Sequence, residues 1–335
     1  MFSFVNQMGG LDREVGGSLM TPLRKRPTPQ GDPLMQTPTD VPRPSDPRLR
    51  DPDDAWKRKN MVWTRIYYGR AVMERIIDTI DVKHALQERY SYRYVMRAAM
   101  AGVIVALLYF FAYQVKADLG PAFNPGLAKY LTAASFSLAL VLIYFTNSEL
   151  LTSNFMYFTV GLYYGKIRAR STLTVLGLCL LGNLLGVAAI GLLARSSGML
   201  DLGVRREILH TVTAKTVESG IWLIFVKAIF ANYFINVAVI ISMQVQEHLA
   251  KIAALLMGVT IFAYMGYEHV IANAALFATA LLFDPGAVSP LHVGKNLLVS
   301  LVGNYVGGGL VIGLFYAYLN DDRRDASASL AAERG

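Results

Sequence analysis

Residues 147–154 read NSELLTSN, and residues 266–273 read GYEHVIAN. Each octet lies inside a long apolar stretch and carries a glutamate at its third position and an asparagine at its eighth. The four side chains are Glu149, Asn154, Glu268 and Asn273. Charged side chains are rare within membrane-spanning segments, where they usually mark the pathway of a substrate or an ion. The octets therefore raise the question of which fold gives these groups apolar surroundings.

The composition of the 335-residue chain is that of a membrane protein. It is 54% hydrophobic and 17% charged, with a mean hydropathy of +0.37, whereas soluble domains carry roughly 25% charged residues. The net charge of +8 is not gathered in a basic helix interleaved with aromatic residues, so we predict no nucleic-acid partner. A single cysteine, with no metal-spaced His/Cys cluster and no phosphate loop, predicts no metal, no cofactor and no enzyme.

The chain divides into four regions by composition. Residues 1–60 are polar and hold most of the 13 prolines, which predicts a disordered tail. Residues 61–94 carry apolar side chains at helical spacing, which predicts an amphipathic helix at the membrane surface. Residues 95–320 form the predicted membrane domain, and residues 321–335 form a C-terminal tail.

Six apolar runs fill the membrane domain, and a spanning helix needs about 20 such residues. The runs are 98–115, 130–165, 171–194, 228–246, 252–283 and 296–319. The second run would reach about 54 Å as a single helix, against a hydrocarbon core of about 30 Å. The fifth run is also too long, so each is either a hairpin of two spans with its octet in solvent, or one span broken at its octet.

Internal repetition favours the broken spans. GNLLG at 182–186 returns as GNYVG at 303–307, at an offset of 121 residues, and the octets lie 119 residues apart. A weaker match pairs residues 98–106 with 228–236, at an offset of 130. Two halves with three crossings each must have opposite orientations, and paired interruptions in such halves point to the binding site. We therefore predict an all-α membrane protein of six transmembrane helices in two inverted three-helix repeats, with the second and fifth helices broken.

Basic residues give a test of orientation, because cytoplasmic loops carry an excess of Lys and Arg. Lys166, Arg168 and Arg170 lie in one short loop, which is cytoplasmic if the N-terminus is inside. The opposite loop, 195–217, also holds basic residues, so the bias is not clean. We expect an integral membrane protein, in the plasma membrane, with both termini in the cytoplasm.

His269 is the histidine that falls deep in an apolar run. A neutral imidazole both donates and accepts a hydrogen bond, so His269 either binds an acidic substrate or passes it a proton, unless it merely closes the break. For Glu149 and Glu268 we favour a structural role, in which each carboxylate accepts loose backbone N–H groups or pairs with a cation. Asn183 and Asn304 are expected to hydrogen-bond the broken loops.

Four motifs in order resemble those of the formate–nitrite transporter family, over about residues 80–320. The most specific is GYEHVIAN at 266–273, and ELLTSN at 149–154 is similar to the family's ELFTGN. VGNYVGG at 302–308 resembles the sixth-span pattern, and KAIFANYFINVAV at 227–239 resembles the fourth, with Ala in place of the usual Cys.

The resemblance implies an aquaporin-like protomer in a homopentamer, with one pore in each protomer. By position, His269 would be the central pore histidine, Thr152 the loop residue that faces it, and Asn232 a close neighbour. Lys215 and, with about three inserted residues, Lys83 would be the vestibule lysines. The positions that would form apolar constrictions are Phe136, Leu140, Leu151 and Phe262.

The functional hypothesis is proton-coupled transport of small monocarboxylates, such as lactate, formate, pyruvate or acetate, across the lipid bilayer. The vestibule lysines would attract the anion, and the apolar constrictions would exclude it until it takes a proton. The Pro-rich tail resembles the family's parasite lactate exporters more than its bacterial formate channels. The alternative is a passive channel for small anions or neutral solutes, gated by the N-terminal segment.

Overall fold

Helices make up all the regular structure between residues 69 and 321, which are the residues that the computed structural model describes. The helices are α1 (Arg70–Arg89), α2 (Ser91–Leu119), α3 (Pro125–Phe145), α4 (Leu151–Tyr163), α5 (Ala169–Ser197), α6 (Leu202–Thr213), α7 (Ile221–Gln244), α8 (His248–Tyr264), α9 (Val270–Phe283), α10 (Pro290–Asn304) and α11 (Phe315–Leu319). Two π-helical segments, Ala214–Glu218 and Tyr305–Leu314, follow α6 and α10.

Five helical segments in the described part of the chain are long and apolar enough to cross a membrane. They are Ser91–Leu119, Pro125–Phe145, Ala169–Ser197, Ile221–Gln244 and Pro290–Leu319. The fifth apolar run is represented by two shorter apolar helices, α8 and α9. The all-α membrane class is thus confirmed, whereas the count of six spans stays a prediction.

The predicted amphipathic segment contains α1, which buries Val72, Met73, Ile76 and Ile80 against α4, α2 and α7. Its exposed face is charged, as helical spacing of the apolar residues requires. The predicted N-terminal tail 1–60 lies outside the described residues, as do residues 61–68 and 322–335.

Both octets turn the chain back into the protein instead of lying at a hairpin tip in solvent. After α3, Asn147 adopts a positive φ of 51°, and after α8 the equivalent Gly266 has a φ of 66°. Gly adopts this left-handed conformation without strain, and Asn tolerates it better than most residues. The chain then re-enters, so that Glu149 is 3% exposed and Glu268 is 1% exposed.

The repeat inferred from sequence offsets is present in the packing. Gly186 of α5 lies directly against the carbonyl oxygen of Ala99, and Gly307, 121 residues later, lies in the same way against that of Ile229. Ala99 and Ile229 differ by the offset of 130 that relates the first and fourth runs. Small residues at both crossings let the helix backbones touch, so each half repeats the same contact.

The two halves differ at the end of the last helix. Where α5 is regular, the equivalent stretch Tyr305–Leu314 is π-helical. Gly308 in this stretch lies against the side-chain amides of Asn232 and Asn236, and a Cβ there would collide with them. At the offsets of 130 and 121, the counterparts of Asn232 and Gly308 are Gly102 and Val187. The glycine is thus on the first helix of the pair in one half and on the last helix in the other. Local π turns of this kind are frequent at functional sites.

Candidate functional site

Each re-entrant loop carries a buried glutamate that is held by a lysine. Lys215, in the π turn after α6, lies 2.9 Å from Glu268, and Lys83 of α1 makes the equivalent ion pair with Glu149. The eighth residue of each octet adds a hydrogen bond, since Asn154 Nδ2 donates to Glu149 at 3.0 Å and Asn273 Nδ2 donates to Glu268 at 2.6 Å. A buried charge is tolerated only when paired and hydrogen-bonded, and both carboxylates meet this condition.

Asn183 and Asn304 tie the loops to the centres of the long helices. Asn304 Nδ2 donates to the carbonyl oxygens of Glu268 and Ala228, both at 2.8 Å, and Asn304 Oδ1 accepts from Val270 N at 2.8 Å. Asn183 makes the corresponding bonds to Glu149 O, Ala98 O and Leu151 N. Because Asn183 is at the midpoint of the 29-residue helix α5, α4 begins deep inside the protein.

The imidazole of His269 is fixed by two hydrogen bonds. As the N-cap of α9, it accepts the backbone N–H of Ala272 at Nδ1, over 3.1 Å. Its Nε2 lies 2.8 Å from the hydroxyl oxygen of Thr152. Since Nδ1 is already an acceptor, the neutral ring must carry its proton on Nε2 and donate it to Thr152. The hydroxyl hydrogen of Thr152 is then free to point at another acceptor.

Asn232 positions Thr152 through a hydrogen bond to its backbone carbonyl oxygen. Its Nδ2 donates to the carbonyl oxygens of Thr152 at 3.0 Å and of Asn304 at 2.7 Å, and Asn236 donates to its Oδ1 at 3.0 Å. Both amide hydrogens of Asn232 are thus taken by backbone carbonyl oxygens, and its Oδ1 already accepts from Asn236. We therefore interpret Asn232 as a positioning residue and not as part of the pathway surface.

A narrow cavity of about 20 Å³ lies beside His269. Its lining is apolar except for the imidazole and consists of Val105, Phe136, Ala139, Leu140, Ile143, Leu150, Ile235, Val259, Phe262 and His269. The rings of Phe262 and His269 stack with centroids 5.9 Å apart, and Phe136 meets Phe262 edge to face at 6.2 Å. Three predicted constriction residues, Phe136, Leu140 and Phe262, are thus together at one point.

Leu151 differs from that expectation. It is buried but does not line the narrow cavity, whereas Leu150 does. The reason is the backbone: Leu150 is the extended residue before α4, and Leu151 is the first residue of that helix. Leu150 precedes His269 by 119 residues, the offset between the octets, so the two N-caps line the cavity as a symmetric pair.

Two wider cavities open on either side of the narrow one. The first, about 320 Å³, contains Lys83 and Glu149 and shares Leu140, Ile143 and Leu150 with it. The second, about 550 Å³, contains Lys215 and shares Phe136 and Phe262 with it. We name them the Lys83 vestibule and the Lys215 vestibule. Helix α3 starts in the Lys215 vestibule and ends in the Lys83 vestibule. The three cavities therefore lie in series along this helix, and we refer to the series as the conduit.

Comparison with known proteins places this conduit in a family. The family model described as formate/nitrite transporter matches residues 70–318. The chain belongs to the formate/nitrite transporter family. Members of this family are transporters or channels, so this member is an integral membrane transporter or channel and not an enzyme, as the sequence predicted.

Several family members are similar over most of their length. The nitrite transporter NirC of Escherichia coli (strain K12) is 30% identical over 222 residues, which are 66% of this chain and 81% of NirC. The formate-nitrite transporter of Plasmodium ovale is 26% identical over 240 residues, 66% of this chain and 75% of that protein.

Solved structures share the fold of this transporter. An FNT family ion channel superposes with a TM-score of 0.68 at 25% identity, over 73% of this chain and 97% of that one. A pentameric formate channel with formate bound gives a TM-score of 0.61 at 20% identity, over 68% and 97%. The likeness at 20% identity is one of fold alone.

Sequence reasoning missed three features of this site. It did not pair Lys83 with Glu149 or Lys215 with Glu268, because the partners lie on separate elements. It did not single out Leu150, although the 119-residue offset from His269 gave the signal. It also left out Asn236, whose amide reaches the carbonyl oxygen of Thr152 at 3.3 Å and which sits one helical turn beyond Asn232.

Proposed function

We propose that this protein moves small monocarboxylates across the bilayer together with a proton. The observation that carries the proposal is the lining of the narrow cavity, which is apolar except for His269. A carboxylate that enters such a passage loses its hydration without gaining a cation, and this is costly. The neutral acid has no such penalty, so transport of the acid amounts to symport of anion and proton.

Proton uptake would occur where the substrate leaves the polar vestibule. Loss of polar surroundings disfavours the ionised form of a carboxylic acid, so the anion takes a proton as it approaches the narrow cavity and releases it on the far side. The vestibules on both sides contain lysine, tyrosine and open space, which suits an exchange of protons with water.

His269 and Thr152 would bind the acid during its passage. The Nε2–H of His269 is directed at Thr152, which leaves the threonine hydroxyl able to donate to a substrate oxygen. Protonation of His269 at Nδ1 would break its hydrogen bond with Ala272 N–H and bring two donors face to face. We therefore favour hydrogen bonding of the acid by this pair over relay of the proton through the ring.

The substrate range follows from the chemistry of a weak acid. Lactate, formate, pyruvate and acetate can all cross as neutral acids, and we retain lactate as the first choice. NirC is named a nitrite transporter, and nitrite is also the anion of a weak acid. A passive channel gated by the N-terminal segment is the alternative, and it is favoured by one observation: α1 inserts Lys83 into one vestibule.

We also propose the assembly and the location. One solved structure with the same fold is a pentameric formate channel. The outward faces of the helices carry large exposed apolar side chains such as Leu173, Trp222 and Leu298. These faces suit contacts with lipid and with further copies in a homopentamer. The plasma membrane, with both termini cytoplasmic, is the expected location.

Uptake by proteoliposomes tests the coupling. Labelled lactate, formate, pyruvate, acetate and nitrite are offered in turn while an internal dye reports pH, and protein-free vesicles correct for diffusion of the neutral acid. We expect uptake to rise as external pH falls and to acidify the lumen in about equal amount. Uptake that follows membrane potential and leaves internal pH unchanged would instead establish the passive channel.

A further inference from the structure

The vestibule lysines are not free to attract anions with their full charge. In the Lys83 vestibule the charged lining residues are Lys83, Arg97 and Glu149, and Lys83 pairs with Glu149. Glu149 is almost fully buried and has Lys83 as its cation, so the charge of the lysine is neutralised by that carboxylate. One positive charge, that of Arg97, remains in excess.

The Lys215 vestibule also has one positive charge in excess of its ion pairs. Its charged lining residues are Lys116, Lys129, Lys215 and Glu207. Lys215 pairs with Glu268 at 2.9 Å, and Lys116 pairs with Glu207 at 2.8 Å. Lys129 lies over the ring of Tyr264, 4.8 Å from its centroid, and no acidic side chain between residues 69 and 321 pairs with it.

We propose that Arg97 and Lys129 are the cations that recognise the substrate anion in the two vestibules, while Lys83 and Lys215 serve mainly to keep the loop glutamates buried. This inference rests on the proposed function, in which an anion is collected before it is protonated. An unpaired cation in a cleft with low-dielectric walls raises the local concentration of anions. A cation that is paired with a carboxylate adds little to the electrostatic potential that a distant anion experiences.

The position of Arg97 suits this role. Its backbone carbonyl accepts a hydrogen bond from Glu149 N at 3.2 Å, which fixes it beside the re-entrant loop. That bond uses only the backbone, so a change of side chain leaves it intact. Among residues 69–321, no acidic side chain forms an ion pair with the guanidinium of Arg97. Its planar fork of donors matches a carboxylate or a nitrite ion with two parallel hydrogen bonds.

The two vestibules therefore differ in chemistry although their excess charge is equal. The Lys83 vestibule offers a guanidinium with directional recognition, and the Lys215 vestibule offers an ammonium on a flexible stem, which acts as a point charge. Anions taken from the Lys83 side should be selected by shape, and anions taken from the other side by charge alone.

Transport measured from one side at a time tests the role of Arg97. The full-length protein is reconstituted in vesicles of determined orientation, and formate, lactate and nitrite are each offered on either face. Arg97→Gln should raise the apparent KM about three- to tenfold for substrate on the Lys83 side, with little change in maximal rate. Arg97→Lys should restore most of the attraction but not the preference among the three anions.

Arg93→Gln is the matched control, because Arg93 lies one helical turn earlier, stacks on Tyr90 and Tyr92 and does not line the vestibule. It removes the same charge from the same end of α2. A KM that is unchanged in Arg97→Gln, or raised equally in Arg93→Gln, overturns the inference for Arg97.

Lys129→Gln should raise the KM about three- to tenfold only for substrate on the Lys215 side, with Arg206→Gln as its control because Arg206 faces a separate groove. Effects that appear from both sides, or in the control, contradict the assignment.

A wild-type protein that carries none of the three anions overturns the proposed function together with this inference. A wild type that carries them by passive flow, with KM values that respond as predicted, overturns proton coupling alone.

Discussion

His269 makes a different hydrogen bond with each of its ring nitrogens. Nδ1 accepts the N–H of Ala272 and caps α9, while Nε2 meets the hydroxyl of Thr152, which belongs to the other half of the chain. The first bond serves stability, because a buried N–H without an acceptor costs about 1–3 kcal/mol. The second joins the two re-entrant loops at the narrow cavity. Substitutions can separate the two contributions.

His269→Asn and His269→Phe form such a pair. The asparagine keeps an acceptor suited to an N-cap but loses the group that reaches Thr152, and phenylalanine loses both. We expect both variants to lose at least about tenfold in flux, a change worth about 1.4 kcal/mol, and only His269→Phe to lose about 1–3 kcal/mol of stability. Flux assays and thermal unfolding in detergent measure the two effects. Normal transport by His269→Asn would remove the imidazole from the mechanism.

At the scale of the elements, close crossings hold the helices together, and buried ion pairs hold the two re-entrant loops in place. Gly186 brings α5 onto the backbone of α2 at Ala99, and Gly307 repeats the contact in the second half. At the loops, a glutamate that is 1–3% exposed is paired with a lysine from a separate element. Both kinds of contact depend on a partner that is far away in sequence, so local changes should have large effects.

Gly186→Ala and Gly177→Ala compare two glycines of one helix. A Cβ at Gly186 would overlap the carbonyl oxygen of Ala99, while a Cβ at Gly177 meets nothing within 4 Å. Overpacking of this kind costs about 1–3 kcal/mol, whereas alanine on an open helix face gains up to about 1 kcal/mol. Thermal unfolding of the purified protein should show opposite shifts in Tm. A similar shift for both variants would argue against the close crossing.

Lys215→Met tests whether the lysine mainly neutralises Glu268. Removing one partner of a buried ion pair costs about 3–5 kcal/mol because the other charge is left unpaired. The double variant Lys215→Met/Glu268→Gln should recover most of that stability, since no unpaired charge remains. Yield and Tm of the two variants give the comparison. A double variant as unstable as the single one would mean that the lysine acts through other contacts.

At the scale of the molecule, the two halves share their scaffold and differ at the site. Both halves have the same turn, the same asparagine bridge and the same lysine–glutamate pair. Only the second half has a histidine at the N-cap, where the first has Leu150, and only the second has a π-helical last segment. Departures from symmetry thus surround His269 and Thr152, which is where we propose that substrate binds.

Asn183→Asp and Asn304→Asp should therefore have closely matched costs. Each aspartate can still accept the N–H at the start of α4 or α9, but it cannot donate to the two carbonyl oxygens that the amide satisfies. We expect each to lose about 2–5 kcal/mol, from two unsatisfied acceptors and an added buried charge. Asn124→Ala, at an exposed N-cap, should cost about 1 kcal/mol. Strongly unequal losses in unfolding experiments would contradict the equivalence of the halves.

Much of this protein is determined by its sequence. Apolar runs interrupted by two similar octets predict an all-helical membrane protein with re-entrant breaks, because hydropathy and spacing are properties of the chain itself. The offsets of 119, 121 and 130 residues predict the repeat, and they reappear in the contacts of Asn183 and Asn304. The resemblance of GYEHVIAN and ELLTSN to family motifs indicated the family that residues 70–318 match.

Only the tertiary structure decided which side chains meet. Lys83 and Glu149 are 66 residues apart, and Thr152 and His269 are 117 apart, so no local pattern pairs them. The position of Leu150, not Leu151, on the narrow cavity depends on one extended residue before a helix, and the tautomer of His269 depends on the N–H of Ala272. The physical reason is that helices form from local hydrogen bonds and apolar spacing, whereas a site forms where separate helices are brought together by packing.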